Sequence, residues 1–165
     1  MEKSSDPSTR YPCCRPHNPK LAPMTPPTEN SASLPQTTPS IRRSMMPRDT
    51  NAMGTIFGGV ILAEIDLAAG IEARSHCDLP FVTVALDNVE FKEPVCVGDL
   101  VSFYTETERI GRTSIRVKVD VWATKYTGES PQVQVTVAHV TMVAVNSELS
   151  PTSIPRPTRR EIEKE

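Results

Sequence analysis

The 165-residue chain lacks the residue patterns that usually indicate metal or serine-based chemistry. Its four cysteines show neither the paired spacing of a zinc site nor a framework of disulfides, and its three histidines are scattered. The sequence contains no HExxH, GxSxG or phosphate-loop motif. We therefore predict no metal site and no cofactor.

An excess of one charge and a long apolar run are also missing. The chain has 18 Lys and Arg against 20 Asp and Glu, so it has no basic surface of the kind that nucleic acid requires. No apolar run approaches the roughly 18 residues of a membrane span. We predict a soluble protein without nucleic-acid or membrane partners, and the sparse use of cysteine favours the cytoplasm.

Proline is concentrated at one end of the chain. Residues 1–40 contain nine of the 16 prolines, set among Ser, Thr and Asn with almost no periodic apolar positions. Such a segment cannot bury enough apolar surface to offset the entropy lost on ordering. We predict a disordered tail over 1–40, one folded domain over 41–155 and a charged C-terminal tail over 156–165.

The folded domain reads as one helix followed by long strands. An apolar segment from Gly58 or Gly59 to Arg74 predicts the helix, and a short strand is expected before Pro47. The strand runs are "FVTVALDNVEF", "DLVSFYTETERI", "TSIRVKVDVWATKY" and "QVQVTVAHVTMVAV". A change of phase predicts a bulge near Ala138 and His139. The pattern indicates an α+β fold, and a helix that is apolar on nearly all sides implies cover from a second subunit.

Two carboxylates interrupt the otherwise apolar stretch from Thr55 to Gly70. Glu64 and Asp66 are two residues apart, which is about 200° around a helix, so they point to opposite sides. We expect Glu64 to face water. Asp66 is either a surface carboxylate or a functional group, and its neighbours at three and four positions are all apolar or small: Leu62, Ala63, Ala69 and Gly70. Because burying an unpaired carboxylate is costly, a functional role is as well supported by these residues as a surface position.

Three stretches together resemble a known family. "MPRDTNAMGTIFGGVILAEIDLAAGIEA", "VTVALDNVEFKEPVCVGDLV" and "GRTSIRVKVDVW" are similar to the hotdog-fold acyl-CoA thioesterases, specifically the YciA-type group that includes cytosolic acyl-CoA hydrolases. The resemblance covers about 41 to 155. It implies a hotdog fold, in which an antiparallel sheet wraps a central helix, and dimers that are often built into trimers of dimers. It also implies hydrolysis of acyl-CoA to free acid and CoA without metal or cofactor.

The resemblance also implies which residues act. The family's catalytic acid corresponds to Asp66, as general base or as nucleophile, and its carbonyl-polarising glycine turn corresponds to Gly58 and Gly59. Asn51 either orients the carbonyl or the water, or forms an Asx turn. Phe57 either lines the acyl channel or belongs to the core.

The turn "GRTS" is the candidate site for CoA. Arg112, Thr113 and Ser114 offer a cation and two hydroxyls to phosphate and pantetheine. The alternative is an ordinary hairpin turn with a solvated arginine.

Helix geometry adds a prediction about assembly. Gly58 and Asp66 lie about 12 Å apart along one helix, too far to reach one thioester group. Two antiparallel helices related by a two-fold axis bring Gly58 of one chain beside Asp66 of the other, which predicts a homodimer with composite active sites. Two other functions remain open. A hotdog dehydratase would need a histidine that the segment before the helix lacks, and a non-catalytic acyl-CoA-binding protein would not need Asp66.

Overall fold

The structure is a computed structural model that describes residues 34, 35, 37–126 and 132–155. Of the predicted N-terminal tail, residues 1–33 and 36 lie outside the described residues. The whole of the predicted C-terminal tail also lies outside them. Just before the first strand, the Ser40 N–H donates to the Phe103 carbonyl at 2.9 Å. Backbone pairing with the sheet therefore already includes residue 40.

In the described part of the chain, one α-helix packs on a five-stranded antiparallel sheet. The elements in chain order are β1 (Ile41–Ser44), a short 3₁₀ turn (Pro47–Asp49), α1 (Gly58–Arg74), β2 (Phe81–Asp87), β3 (Leu100–Ile110), β4 (Ser114–Thr124) and β5 (Val133–Ala144). The sheet order is β1-β3-β4-β5-β2, so β1 and β2 form its two edges. The predicted helix limits and the α+β architecture are confirmed.

The core lies between α1 and the inner face of the sheet. The helix buries one stripe of small and branched side chains at helical spacing: Ile61, Ile65, Ala68, Ala69 and Ala73. The facing side chains of β4 are fully buried and alternate as the sequence predicts: Ile115, Val117, Val119 and Val121. The alanines carry no bulk beyond Cβ, so the helix can lie close to the strands.

The opposite side of α1 carries exposed apolar side chains. Leu67 is 57% exposed and Ile71 is 51% exposed, and they lie one turn apart on the same face. On the edge strand β2, Val82 and Val84 are exposed to 40% and 57%. A single chain therefore does not cover all of the apolar surface of its helix and edge strand.

The predicted bulge at Ala138 and His139 is wrong. Both residues pair in regular register with β4, and the extra residue is Val135, which lies between the partners of Val121 and Trp122. The prediction took apolar residues to mark the buried face. Thr136 is instead fully buried, so polarity alone does not identify the face in this part of β5.

Candidate active site

The first turn of α1 has free backbone donors and borders a cavity. Phe57, the N-cap, is extended with ψ 126°, and its side chain makes no capping hydrogen bond. Among the described residues, the N–H groups of Gly58 and Gly59 have no hydrogen-bond partner. A cavity of about 350 Å³ borders Gly58, with lining from Thr55, Ile56, Gly58, Ile61, Phe91, Lys92, Glu93, Pro94 and Val95.

Two phenylalanines surround these glycines. A Cβ on Gly59 would overlap the Phe57 ring, so only glycine lets this ring lie against the helix. A Cβ on Gly58 would meet the Phe91 ring at 3.5 Å, an ordinary contact. Phe57 is 57% exposed and therefore does not belong to the core of this chain. Sequence reasoning missed Phe91, because it follows β2 in a segment read as strand.

A buried carboxylate holds the wall of the cavity formed by residues 91–95. Asp99 is 2% exposed and accepts hydrogen bonds from the Cys96 N–H at 2.9 Å, the Tyr126 N–H at 3.1 Å and the Lys125 Nζ at 3.1 Å. Lys125 Nζ also donates to the Pro94 carbonyl at 2.7 Å. The two residues that follow β4 therefore fix this wall, an arrangement that the sequence pattern did not indicate.

Asn51 is bonded within its own loop. Its Nδ2 donates to Thr55 Oγ1 at 2.8 Å, and its Oδ1 accepts from the Met53 N–H at 2.8 Å. The Asx turn that the sequence suggested is therefore present, and a role of Asn51 in orienting the carbonyl or the water stays a prediction. Asn51 does not line the cavity, but it holds Thr55, which does.

Glu64 and Asp66 of α1 contact different strands. Asp66 is half-buried, and its Oδ1 accepts a hydrogen bond from Thr83 Oγ1 on β2. Glu64 pairs with Arg43 of β1, whose guanidinium also contacts Asp49 at 2.8 Å. The expectation that Glu64 faces water is wrong: its side chain is 13% exposed because Arg43 reaches across from the sheet edge.

The "GRTS" turn lies far from the Gly58 cavity. It joins β3 to β4, and the Gly111 N–H donates to the Ser114 carbonyl at 2.7 Å. Near this end of β3, Thr107 donates to Glu72 in the last turns of α1 at 2.8 Å. β3 has 11 residues and is therefore about 30 Å long. Arg112, Thr113 and Ser114 therefore lie at the opposite end of the sheet from the first turn of α1.

Within one chain, the predicted site residues form three separate groups. Asn51, Phe57, Gly58 and Gly59 lie at the start of α1, Asp66 contacts β2, and the "GRTS" turn is at the far end of the sheet. In the described part of the chain, no three His, Cys, Asp or Glu side chains are grouped to hold a metal ion. No helix of that part is long and apolar enough to cross a membrane.

Comparisons with known proteins identify the family. The model of the thioesterase superfamily matches residues 53–128. An uncharacterized acyl-CoA thioester hydrolase of Haemophilus influenzae is 40% identical over 126 residues, which are 75% of this chain and 82% of that protein. The acyl-CoA thioester hydrolase YciA of Escherichia coli is 34% identical over 125 residues, which are 74% and 95% of the two chains.

A solved structure gives the same result for the fold. A hexameric thioesterase from Yersinia pestis superimposes with a TM-score of 0.70 and 35% identity, over 75% of this chain and 100% of that one. The chain therefore belongs to the thioesterase superfamily, and its fold is the hotdog fold. Within the superfamily it groups with the acyl-CoA thioester hydrolases of the YciA type, as the resemblance implied.

Proposed function

We propose that the chain hydrolyses fatty acyl-CoA to free fatty acid and CoA, with Asp66 and the first turn of α1 as its catalytic groups. The observation that carries the proposal is the start of α1, where the N–H groups of Gly58 and Gly59 are unpartnered and Gly58 borders a largely apolar cavity. This pair occurs in a chain that groups with acyl-CoA thioester hydrolases. The names of these relatives specify acyl-CoA thioesters, and the fatty acyl group is part of our proposal.

The helix start supplies the oxyanion site. The free N–H groups of the first turn and the positive end of the helix dipole favour negative charge at this position. A thioester carbonyl that points at Gly58 and Gly59 develops this charge when it is attacked. The missing Cβ at Gly58 allows the substrate to approach the backbone closely.

Asp66 activates or performs the attack. Its carboxylate deprotonates a water that attacks the carbonyl carbon, or it attacks that carbon itself, expels CoA as thiolate and forms an anhydride that water then hydrolyses. The hydrogen bond from Thr83 occupies one carboxylate oxygen and orients the group. Since a thiol with a pKa of about 8.5 leaves readily as thiolate, the reaction needs no separate general acid.

The two groups meet between chains. Because Gly58 and Asp66 are about 12 Å apart on one helix, we propose a homodimer in which Gly58 faces Asp66 of the partner subunit. The exposed Leu67 and Ile71 on α1 and the open edge of β2 provide the apolar surface for this contact. The hexameric relative supports a further assembly into a trimer of dimers.

The same pairing brings in the CoA site. An antiparallel partner moves its "GRTS" turn from the far end of one chain towards the Gly58 end of the other. Arg112 is exposed, and Thr113 and Ser114 are half-buried, so all three remain accessible to a ligand. We assign phosphate and pantetheine contacts to these residues, acyl contacts to Phe57 and a positioning role to Asn51 through Thr55.

Release of free CoA tests the function. The full chain is incubated with acyl-CoA substrates of increasing acyl length, and thiol release is measured with a thiol reagent. We expect turnover at one or more lengths. Conversion of 3-hydroxyacyl or enoyl thioesters without CoA release would indicate a dehydratase. Tight binding of acyl-CoA without any turnover would indicate a binding protein.

A further inference from the structure

The cavity beside Gly58 has a charged entrance and an apolar floor. Lys92 and Glu93 are exposed at its rim. Its floor is formed by three buried residues, Ile56, Ile61 and Val95, which are 6%, 1% and 5% exposed. Such a gradient fits a ligand with an apolar end directed inwards and a polar remainder left outside.

We propose that this cavity receives the acyl group and that Ile61 limits the acyl length that the enzyme accepts. The inference rests on the proposed function, because it takes the thioester carbonyl to lie at Gly58. Ile61 follows Gly58 by three residues, so it lies on the same side of α1 and about 4.5 Å further along the axis. The first carbons beyond a carbonyl held at Gly58 therefore reach Ile61.

The floor is rigid on each side. Ile61 belongs to α1. The other two floor residues are joined by a hydrogen bond, because the Ile56 N–H donates to the Val95 carbonyl at 2.8 Å. Val95 belongs to the wall that Asp99 and Lys125 hold in place. A longer acyl group therefore cannot be accommodated by a small shift of one side chain. Removing carbons from Ile61 should lengthen the accepted acyl group.

The chain offers a matched control for this test. Ile65 is the same residue type, lies one turn further along α1 and is fully buried, but it does not line the cavity. Truncation of either isoleucine to alanine removes three carbons from the same core and lowers stability by the same mechanism. Only Ile61→Ala deepens the cavity.

The measured quantity is the ratio of kcat/KM for two substrates. One is the acyl-CoA of the length that the wild type prefers, and the other is two carbons longer. Each newly buried methylene contributes about fourfold, so Ile61→Ala should raise the ratio of longer to shorter substrate by up to about 16-fold. We expect Ile65→Ala to leave this ratio unchanged within about twofold.

Three further results complete the test. The melting temperature shows whether Ile61→Ala folds. If it does not, Ile61→Val should raise the ratio of longer to shorter substrate by a smaller factor than is expected for Ile61→Ala. Ile61→Phe should lower this ratio and favour shorter acyl groups. The assignment of Ile61 is overturned if folded Ile61 variants keep the wild-type ratio of kcat/KM values, or if Ile65→Ala changes this ratio equally. Either result leaves the proposed thioesterase activity intact. Absence of acyl-CoA hydrolysis by the wild type at every length overturns the proposed function as well.

Discussion

Glu64 and Asp66, two residues apart on α1, are bonded to the two opposite edges of the sheet. Glu64 pairs with Arg43 on β1, whereas Asp66 accepts from Thr83 on β2. The angle of about 200° between them along a helix explains why they reach different strands. Their roles should therefore separate, with stability depending on Glu64 and turnover on Asp66.

Replacement of Asp66 by asparagine should abolish turnover without unfolding the protein. The amide side chain would keep the shape of the carboxylate and can still accept from Thr83, but it can neither take a proton from water nor attack a carbonyl. We expect kcat to fall by about 10²-fold or more, with an unchanged melting temperature and retained binding of acyl-CoA. Wild-type turnover in this variant would show that Asp66 is structural.

Replacement of Glu64 by glutamine should have the opposite effect. The variant loses the ion pair with Arg43 in a place where only 13% of the Glu64 side chain is exposed. We expect the free energy of unfolding to fall by about 1–3 kcal/mol, with kcat within twofold of wild type. Denaturant titration and the CoA release assay measure the two quantities. A loss of kcat with full stability would contradict this division of roles.

Mixed dimers test the composite site. Gly58→Pro removes the N–H donor but suits the first helical position, and Phe57 already has the extended backbone that proline requires of its predecessor. This variant and Asp66→Asn, each inactive alone, are unfolded and refolded together. Random pairing should make half of the dimers mixed, each with one intact site, so about a quarter of wild-type activity should return.

The same experiment has a clear negative result. If each active site came from one chain, every site in the mixture would keep one lesion. Zero activity, with mixed dimers demonstrated by differently tagged chains, would therefore exclude the composite site. Refolding each variant by itself provides the control.

Replacement of Arg112 by alanine should weaken binding of CoA more than it slows the chemical step. The side chain is exposed and far from the Gly58 cavity of its own chain, so its removal should spare the fold. We expect KM for acyl-CoA to rise more than kcat falls, and the salt dependence of KM to become weaker. The control is Arg42→Ala, which removes an exposed arginine of β1. An unchanged KM would place the phosphate site elsewhere.

Short-range patterns were readable from the sequence, and long-range contacts were not. The limits of α1 and the alternation of Ile115 and Val117 follow from periods of a few residues, and both are confirmed. Arg43 and Glu64 are 21 positions apart, and Asp99 and Tyr126 are 27 apart. No local pattern links such pairs, because their contact depends on how strands are ordered in the sheet. For the same reason, the part played by Phe91 in the cavity emerged only from the fold.

The strand order also has a consequence for folding kinetics. β3 and β4 are joined by a tight turn, with Ile110 opposite Ile115. The edge strands instead pair with residues that are distant in the sequence: Ile41 of β1 pairs with Phe103, and Phe81 of β2 pairs with Ala144. Closing these long loops costs more entropy, so the two edge strands should dock last. Pulsed hydrogen exchange during refolding should show protected amides in β3 and β4 before β2, and simultaneous protection would contradict this order. Because Thr83 lies on β2, we expect Asp66 to obtain its hydrogen bond only when this edge strand docks. Under the proposed mechanism, a folding intermediate without β2 should therefore lack catalytic activity.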